Sequence, residues 1–278
     1  MDTPPATIVV PTRSRAGYLD VALASFAPQV AAAGAEIVVV VDGADPASVA
    51  VAERHGARVL APAPPQGPNA ARNAGIAAAH GELIVLVDDD VHAPPTWLPA
   101  LLAAAAATPE RDVFAGPIRA DLEGGGPRSC GREAPPITTL DHGPADRDIH
   151  VGWSANLAIR RAALETIGGF DEAIEVGAGD EEEWQERYRS TGGEVRYVAA
   201  AGLDHRRAAA DATLRALARA QYRRGRAARR HDVRKGTAPA LASELRTVAG
   251  CAWHTLRRRC ANGIVMTAHA LGRTREAI

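Results

Sequence analysis

Asp88, Asp89 and Asp90 stand together directly after the apolar run 83–87. Carboxylates two apart at the end of a strand can point the same way, and together they suit a hard divalent cation, Mg²⁺ or Mn²⁺. A cation so held would neutralise a diphosphate leaving group as a Lewis acid. The plainer alternative is a solvated acidic turn. A further acid, Asp42, ends the run 36–41. A carboxylate there can accept a hydrogen bond from a base or ribose, or it can cap a helix. Pro11-Thr12-Arg13-Ser14-Arg15 follows the first apolar run and brings hydroxyls and guanidinium groups to the same edge.

Three more groups extend the pattern. Gly67-Pro68-Asn69-Ala70-Ala71-Arg72-Asn73-Ala74-Gly75 is a run of small residues that lets a backbone approach a ligand or a sheet closely. Within it Arg72 can reach a phosphate or pack on the carboxylates. Asp180-Glu181-Glu182-Glu183-Trp184 crowds four acids. Their repulsion raises one pKa and makes one of them a candidate general base, and acids also favour a helix N-terminus. His205 follows the strand-like Gly-Leu-Asp, where it is either a packed histidine or a ligand.

These groups need a frame. Residues 6–11, 36–41, 57–60 and 83–87 are apolar strand candidates, and 17–32, 46–55 and 69–80 between them carry helical periodicity. Continuous apolar runs separated by helices predict a mostly parallel sheet flanked by helices, with ligands beyond the carboxyl ends of its strands. Helices at 96–107 and 161–167 and strands at 112–118 and 194–199 continue the α/β pattern, with regular structure resuming at 152–159. Residues 121–148, rich in Gly, Pro and charge, read as a mobile loop or lid. After His205 the chain reads as helical, with one stretch at 206–235 and a second at about 239–273.

The length of 278 residues suits one or two domains at about 150 residues each. Ordinary apolar and charged fractions, 46% and 23%, exclude a disordered or disulfide-stapled chain. The net charge of −1 conceals a segregation. Residues 206–235 hold 11 Arg and Lys against Asp211 and Asp232, a net +9, which leaves −10 for the rest. Cys130, Cys251 and Cys260 are odd in number and far from metal-ligand spacing, which suits a reducing compartment. With no signal-peptide pattern and no long uncharged apolar stretch, the expected location is the cytoplasm.

In order and spacing these motifs resemble the family 2 glycosyltransferases with the GT-A fold, over about residues 6–206. The opening strand and its turn are similar to the family's Pro-Thr-x-Asn-Arg, with Ser14 at the usual Asn. Val-Val-Asp42-Gly43 resembles Asp-Asp-Gly-Ser, with Val41 replacing the first Asp. Gly67–Gly75 resembles Gly-x-x-x-Ala-Arg-Asn-x-Gly, and Asp88-x-Asp90 stands at the DxD motif. Gly152-Trp153-Ser154-Ala155-Asn156 and Gly168-Gly169-Phe170-Asp171-Glu172 resemble later elements. The family's Glu-Asp catalytic pair reads Asp180-Glu181 here, in reversed order.

The resemblance implies metal-dependent, inverting transfer of a sugar from a nucleotide-diphosphate donor, UDP first, with dTDP or GDP open. The acceptor is a small molecule, a glycan or a lipid-linked hydroxyl. Implied nucleotide-binding residues are Pro11, Thr12, Arg15, Asp42, Arg72, Asp88 and Asp89. Asp90 and His205 are the implied ligands of Mg²⁺ or Mn²⁺, and Glu181 or Asp180 is the base. Trp153, Asn156 and Trp184 are implied at the acceptor and donor sugars. The catalytic domain is expected over 1–207, with a nucleotide-binding half to about 118 and an acceptor half over about 119–207. Residues 208–278 form a helical extension.

A haloacid-dehalogenase-like phosphatase would also place Asp-x-Asp after a strand, but His92 stands where its next hydroxyl or β-branched residue belongs. Pro-Thr-Arg-Ser-Arg replaces the glycine turn that a nicotinamide dehydrogenase requires. A catalytically inactive GT-A domain that binds a nucleotide sugar or glycan is the alternative from another class. In the extension, Arg215, Arg219, Arg223, Arg226 and Arg230 share one helical face. That face is either a solvated cover or a peripheral contact with anionic lipid at the inner face of a membrane. Nucleic acid is not expected, because no aromatics interleave the basic residues. The second helical stretch, with Trp253, Leu256, Ile264, Val265 and Met266, is expected to pair with the first or to form a homodimer.

Overall fold

The computed structural model describes residues 3–128, 130–131, 136–174 and 179–278. Two compact units divide the chain. One comprises Met1–Arg119, Thr139–Glu172 and Glu181–His205; the other comprises Ala120–Thr138, Ala173–Asp180 and Arg206–Ile278.

Strands and helices alternate from the start as the apolar runs predict: β1 (Ala6–Thr12), α1 (Ala16–Ala33), β2 (Glu36–Val41), α2 (Pro46–Arg54), β3 (Arg58–Leu60), α3 (Pro68–Ala78) and β4 (Leu83–Leu86). Then come β5 (Val91–His92), α4 (Trp97–Ala107), β6 (Val113–Ala115), β7 (Ile118–Leu122), β8 (Arg147–Ile149), β9 (Leu157–Arg160), α5 (Arg161–Ile167), α6 (Asp180–Ser190), β10 (Val195–Tyr197) and β11 (Leu203–Arg207). Helices α7 (Leu214–Lys235), α8 (Leu241–Arg258) and α9 (Ala261–Arg275) complete the chain.

Eight strands form one sheet in the order β3-β2-β1-β4-β9-β6-β10-β8. Strand β1 runs parallel to β2 and β4, β2 to β3, and β6 to β10. Strand β9 enters antiparallel between β4 and β6, and β8 is antiparallel at the edge. The sheet is therefore mixed. Ile8, Val9, Val10, Val38 to Val41 and Ile84 to Val87 are fully buried, which is why their segments read as unbroken apolar runs. Helix α1 sets Leu19, Leu23, Phe26 and Val30 into the core at helical spacing and stops at Gly34, whose φ of 65° ends the helix. Helix α3 lies so close to the sheet that a Cβ on Gly75 would sit 2.3 Å from Val9 Cγ1. Close helix–sheet packing thus accounts for that glycine.

Several expected boundaries shift. Residues 112–118 are not one strand, because the chain breaks at Gly116-Pro117 into β6 and β7. A Cβ on Gly116 would meet Ala201 O at 2.0 Å, and Pro117 has no amide to continue a ladder. The structure that resumes at 152–159 is a short 3₁₀ turn, Ser154–Asn156, followed by β9. Of the expected lid 121–148, residues 129 and 132–135 lie outside the described residues. The part around Ile137 is anchored: Ile137 packs with Leu217 and Val265, and Gln221 Nε2 donates to Pro136 O at 2.7 Å.

The stretch 239–273 is two helices, because the chain turns between them at Arg259, with φ of 49°. Helices α7 and α9 touch backbone to backbone. A Cβ on Gly225 would lie 2.1 Å from His269 O, and one on Gly272 2.1 Å from Tyr222 O. The arginine face of α7 is partly neutralised from within: Arg226 and Arg230 both pair with Glu276. Among the described residues no helix is long and apolar enough to cross a membrane.

Candidate active site

The site lies at the carboxyl ends of β1 and β4, inside the first unit. Strand β1 ends at Thr12, and its Oγ1 donates to Asp89 Oδ2 at 2.7 Å. Just past the turn, the guanidinium of Arg15 divides its fork. Nη1 donates to Asp89 Oδ1 at 2.7 Å and Nη2 to Asp90 Oδ2 at 2.6 Å. Tyr18, one helical turn further on, lies under the guanidinium, with its ring centroid 4.4 Å from Cζ. Burial works against the Arg15 cation, but the Asp90 and Asp89 carboxylates more than offset it and raise its pKa.

His205 arrives from the far end of the first unit. Strand β5 begins at the residue after Asp90 and pairs antiparallel with β11, with His205 opposite Val91. That register brings His205 Nε2 to 3.1 Å from Asp90 Oδ1. Ligand atoms of Asp88, Asp90 and His205 all lie within 4.8 Å of one another. Burial pushes the Asp88 carboxyl up, Asp90 adds to the rise, Arg72 and His205 oppose it, and Glu181 adds again. Burial likewise pushes Asp89 up to about 7 despite Arg15 and Thr12. Two carboxylates and an imidazole are a donor set that fits Mn²⁺ or Mg²⁺, and a cation among them would offset the negative charge that Asp88 and Asp90 bring together.

Glu181, in the first turn of α6, is nearly buried and accepts a 2.6 Å hydrogen bond from Ser154 Oγ. Gln185, one turn on, secures that meeting. Its Oε1 accepts from Gly152 N at 2.8 Å, while Nε2 donates to Gly152 O and Glu181 O at 2.9 Å. Asp180 opens α6 and is 1% exposed. Arg72 is buried on α3 and donates to Asn69 Oδ1 at 2.7 Å.

Other residues singled out from sequence stand apart from this cluster. Asp42 holds a loop, accepting from Gln66 N at 2.7 Å and Gly67 N at 3.1 Å. Pro11 lies past the last β1–β4 pair, Val9 with Leu86, where a strand needs no amide on that side. Trp184, implied at the sugars, is packed in the core. It is 0% exposed, lies between Phe170 and Tyr188 with ring centroids 5.8 Å away on each side, and donates from Nε1 to Gly168 O. Asn156 is also a core residue. Its Nδ2 donates to Pro117 O and Ala201 O, and its Oδ1 accepts from Trp97 Nε1. Trp153 is half-buried against the core. Sequence reasoning missed Ser154 and Gln185 as the groups that hold Glu181; Gln185, one helical turn after Glu181, was the available signal.

Residues 7–168 match the family described as glycosyl transferase family 2. The pre-mycofactocin glycosyltransferases of Mycobacterium tuberculosis strains CDC 1551 / Oshkosh and ATCC 25618 / H37Rv are each 31% identical over 156 residues, which is 51% of this chain. The chain spans about a third of the length of these curated relatives, the aligned part being 31% of each. The mannosyltransferase PcManGT from Pyrobaculum calidifontis, solved with GDP-Man and Mn²⁺, superposes with a TM-score of 0.66 at 16% identity. The match covers 100% of this chain and 88% of that one. GalNAc-T7, solved with UDP, GalNAc and Mn²⁺, gives a TM-score of 0.58 at 15% identity over 74% of this chain and 44% of that one. At such identities the likeness shows the fold, which is GT-A.

Proposed function

Because the chain belongs to glycosyl transferase family 2, we propose that it transfers a sugar from a nucleotide-diphosphate donor to an acceptor hydroxyl, with inversion and with Mn²⁺ or Mg²⁺. The observation that carries this reading is the meeting of Asp88, Asp90 and His205 within 4.8 Å at the strand ends. The Mn²⁺ and nucleotides in the complexes of the two structural neighbours support it. UDP is the first candidate nucleotide and GDP the second.

Asp88, Asp90 and His205 would hold the cation, which supplies Lewis-acid neutralisation of the departing diphosphate. Thr12 and Arg15 fix Asp89 and Asp90 in place, so the acidic edge is organised before a donor arrives. Asp42 shapes the loop at Gln66 and Gly67, which would flank the nucleoside. Glu181, oriented by Ser154, takes the acceptor proton as the acceptor oxygen attacks the anomeric carbon. The bond from that carbon to the diphosphate oxygen breaks, and its electron pair leaves with the diphosphate. A single displacement inverts the centre and needs no enzyme nucleophile.

The acceptor is a small molecule, a glycan or a lipid-linked hydroxyl, and the location is the cytoplasm with peripheral contact at the membrane. In this reading the membrane contact is made by α8 rather than by the Arg-rich face of α7. Leu241, Leu245, Trp253 and Leu256 are 39, 52, 63 and 76% exposed on α8 beside Arg246, Arg257 and Arg258. An exposed Leu and Trp row flanked by arginines suits an anionic lipid interface.

A thermal-shift panel of nucleotide sugars with and without Mn²⁺ tests the proposal. Stabilisation by one nucleotide class that depends on the metal supports it, and melting temperatures that no donor moves refute it.

A further inference from the structure

The second unit gathers three soft donors. Cys130, His254 and Cys260 are scattered in sequence, yet both Sγ atoms and a ring nitrogen of His254 all fall within 4.8 Å of one another. The fold explains the meeting. His254 lies in the last turns of α8, and Cys260 directly precedes α9, after the chain reverses at Arg259. The segment that carries Cys130 is fastened to the same corner through its backbone. Asn262 N donates to Arg128 O at 3.1 Å, and Cys260 Sγ lies 3.9 Å from that carbonyl. His254 Nε2 consequently sits 3.4 Å from Cys130 Sγ.

The spacing fits a metal. Zinc takes sulfur at about 2.3 Å and imidazole nitrogen at about 2.0–2.1 Å in tetrahedral geometry, so two such ligands lie about 3.6 Å apart. Two thiolates and an imidazole select Zn²⁺ over Mg²⁺ or Mn²⁺, which prefer oxygen. Both thiolates also cancel the charge of the ion. Cys260 is buried while Cys130 is exposed, so the position is reachable from solvent.

We propose that Cys130, His254 and Cys260 form a Zn²⁺ site that fastens the segment around Cys130 to the corner between α8 and α9, with a fourth position taken by water. This site is separate in residues and in ligand hardness from the carboxylate-rich Asp88, Asp90 and His205 cluster. The chain thereby sorts two metals between two units.

The test uses the full chain kept reduced with a non-thiol reductant, equilibrated with Zn²⁺, desalted and assayed for bound metal. About one zinc per chain should remain after desalting. It should survive in Cys251→Ser and in Asp90→Asn, and be lost in the Cys130→Ser/Cys260→Ser double variant. Replacing Zn²⁺ by Co²⁺ in the unmodified chain should give a thiolate-to-cobalt charge-transfer band in the near ultraviolet, which reads the ligands without any mutation. No retained zinc and no such band in the unmodified chain would overturn the proposal. Undiminished zinc in the double variant would do the same, and so would a Cys130–Cys260 disulfide found by mass under the same reducing conditions.

Discussion

His205 Nε2 lies 3.1 Å from Asp90 Oδ1, and the two-residue strand β5 is what puts it there. Asp90 directly precedes β5 and His205 belongs to β11, so the cluster depends on the register of β5 against β11. If the imidazole is a ligand, His205→Ala should raise the Mn²⁺ concentration for half-maximal activity by about tenfold or more. Even groups one shell out from a metal are worth about 10–100-fold in affinity. Metal titrations of the two proteins check this; equal titration midpoints would remove His205 from the ligand set.

Glu181→Gln should leave donor binding intact and lower transfer by about 10²–10⁴-fold, the usual worth of a general base. Calorimetric donor binding alongside initial rates separates the two effects. Should Asp180→Asn reproduce the loss while Glu181→Gln retains full rate, Asp180 would be the base.

The burial of Trp184 between Phe170 and Tyr188 predicts a packing role. Trp184→Ala should cost about 3–5 kcal/mol of stability from the cavity it leaves. In Trp184→Phe, the donor and acceptor KM values should stay at the parent values while the denaturation midpoint in urea falls. A KM that rises without any fall in the midpoint would return Trp184 to the sugar site.

Contact with a membrane, if it falls on α8, depends on Leu245, Trp253 and Leu256 more than on the arginines of α7. The full chain should float with anionic liposomes at low salt and less so at high salt, as screening weakens the arginine contribution. Trp253→Glu should abolish flotation. Equal flotation of the Arg215→Glu/Arg219→Glu pair and loss in Trp253→Glu would assign α8; the reverse pattern would assign α7.

Much of the frame was legible because burial on both faces of β1, β2 and β4 leaves continuous apolar runs with acids at their ends. Asp88 to Asp90 could be read for the same reason. His205 could be placed only by motif order, since its partner strand β5 has two residues and no period to read. Ser14 shows why one motif position departs without breaking the turn. Its φ of 53° is in the left-handed region, where Asn is favoured among residues with a side chain. The roles of Trp184 and Asn156 were not legible, because a Trp and an Asn near an acidic run look alike whether they face a ligand or the core. Meeting of Cys130 with His254 and Cys260 was hidden by the break at Arg259, which periodicity smooths over.

Release of nucleoside diphosphate from a panel of nucleotide sugars, with Mn²⁺ or with a chelator, tests the central claim most directly when the parent and Asp90→Asn are run side by side. The account predicts metal-dependent release from one donor class by the parent, and a loss of at least about 10²-fold in Asp90→Asn. Release that ignores both the chelator and the substitution would contradict the metal-centred site. No release from any donor, with or without an acceptor, would instead make the chain a GT-A domain that binds without catalysing.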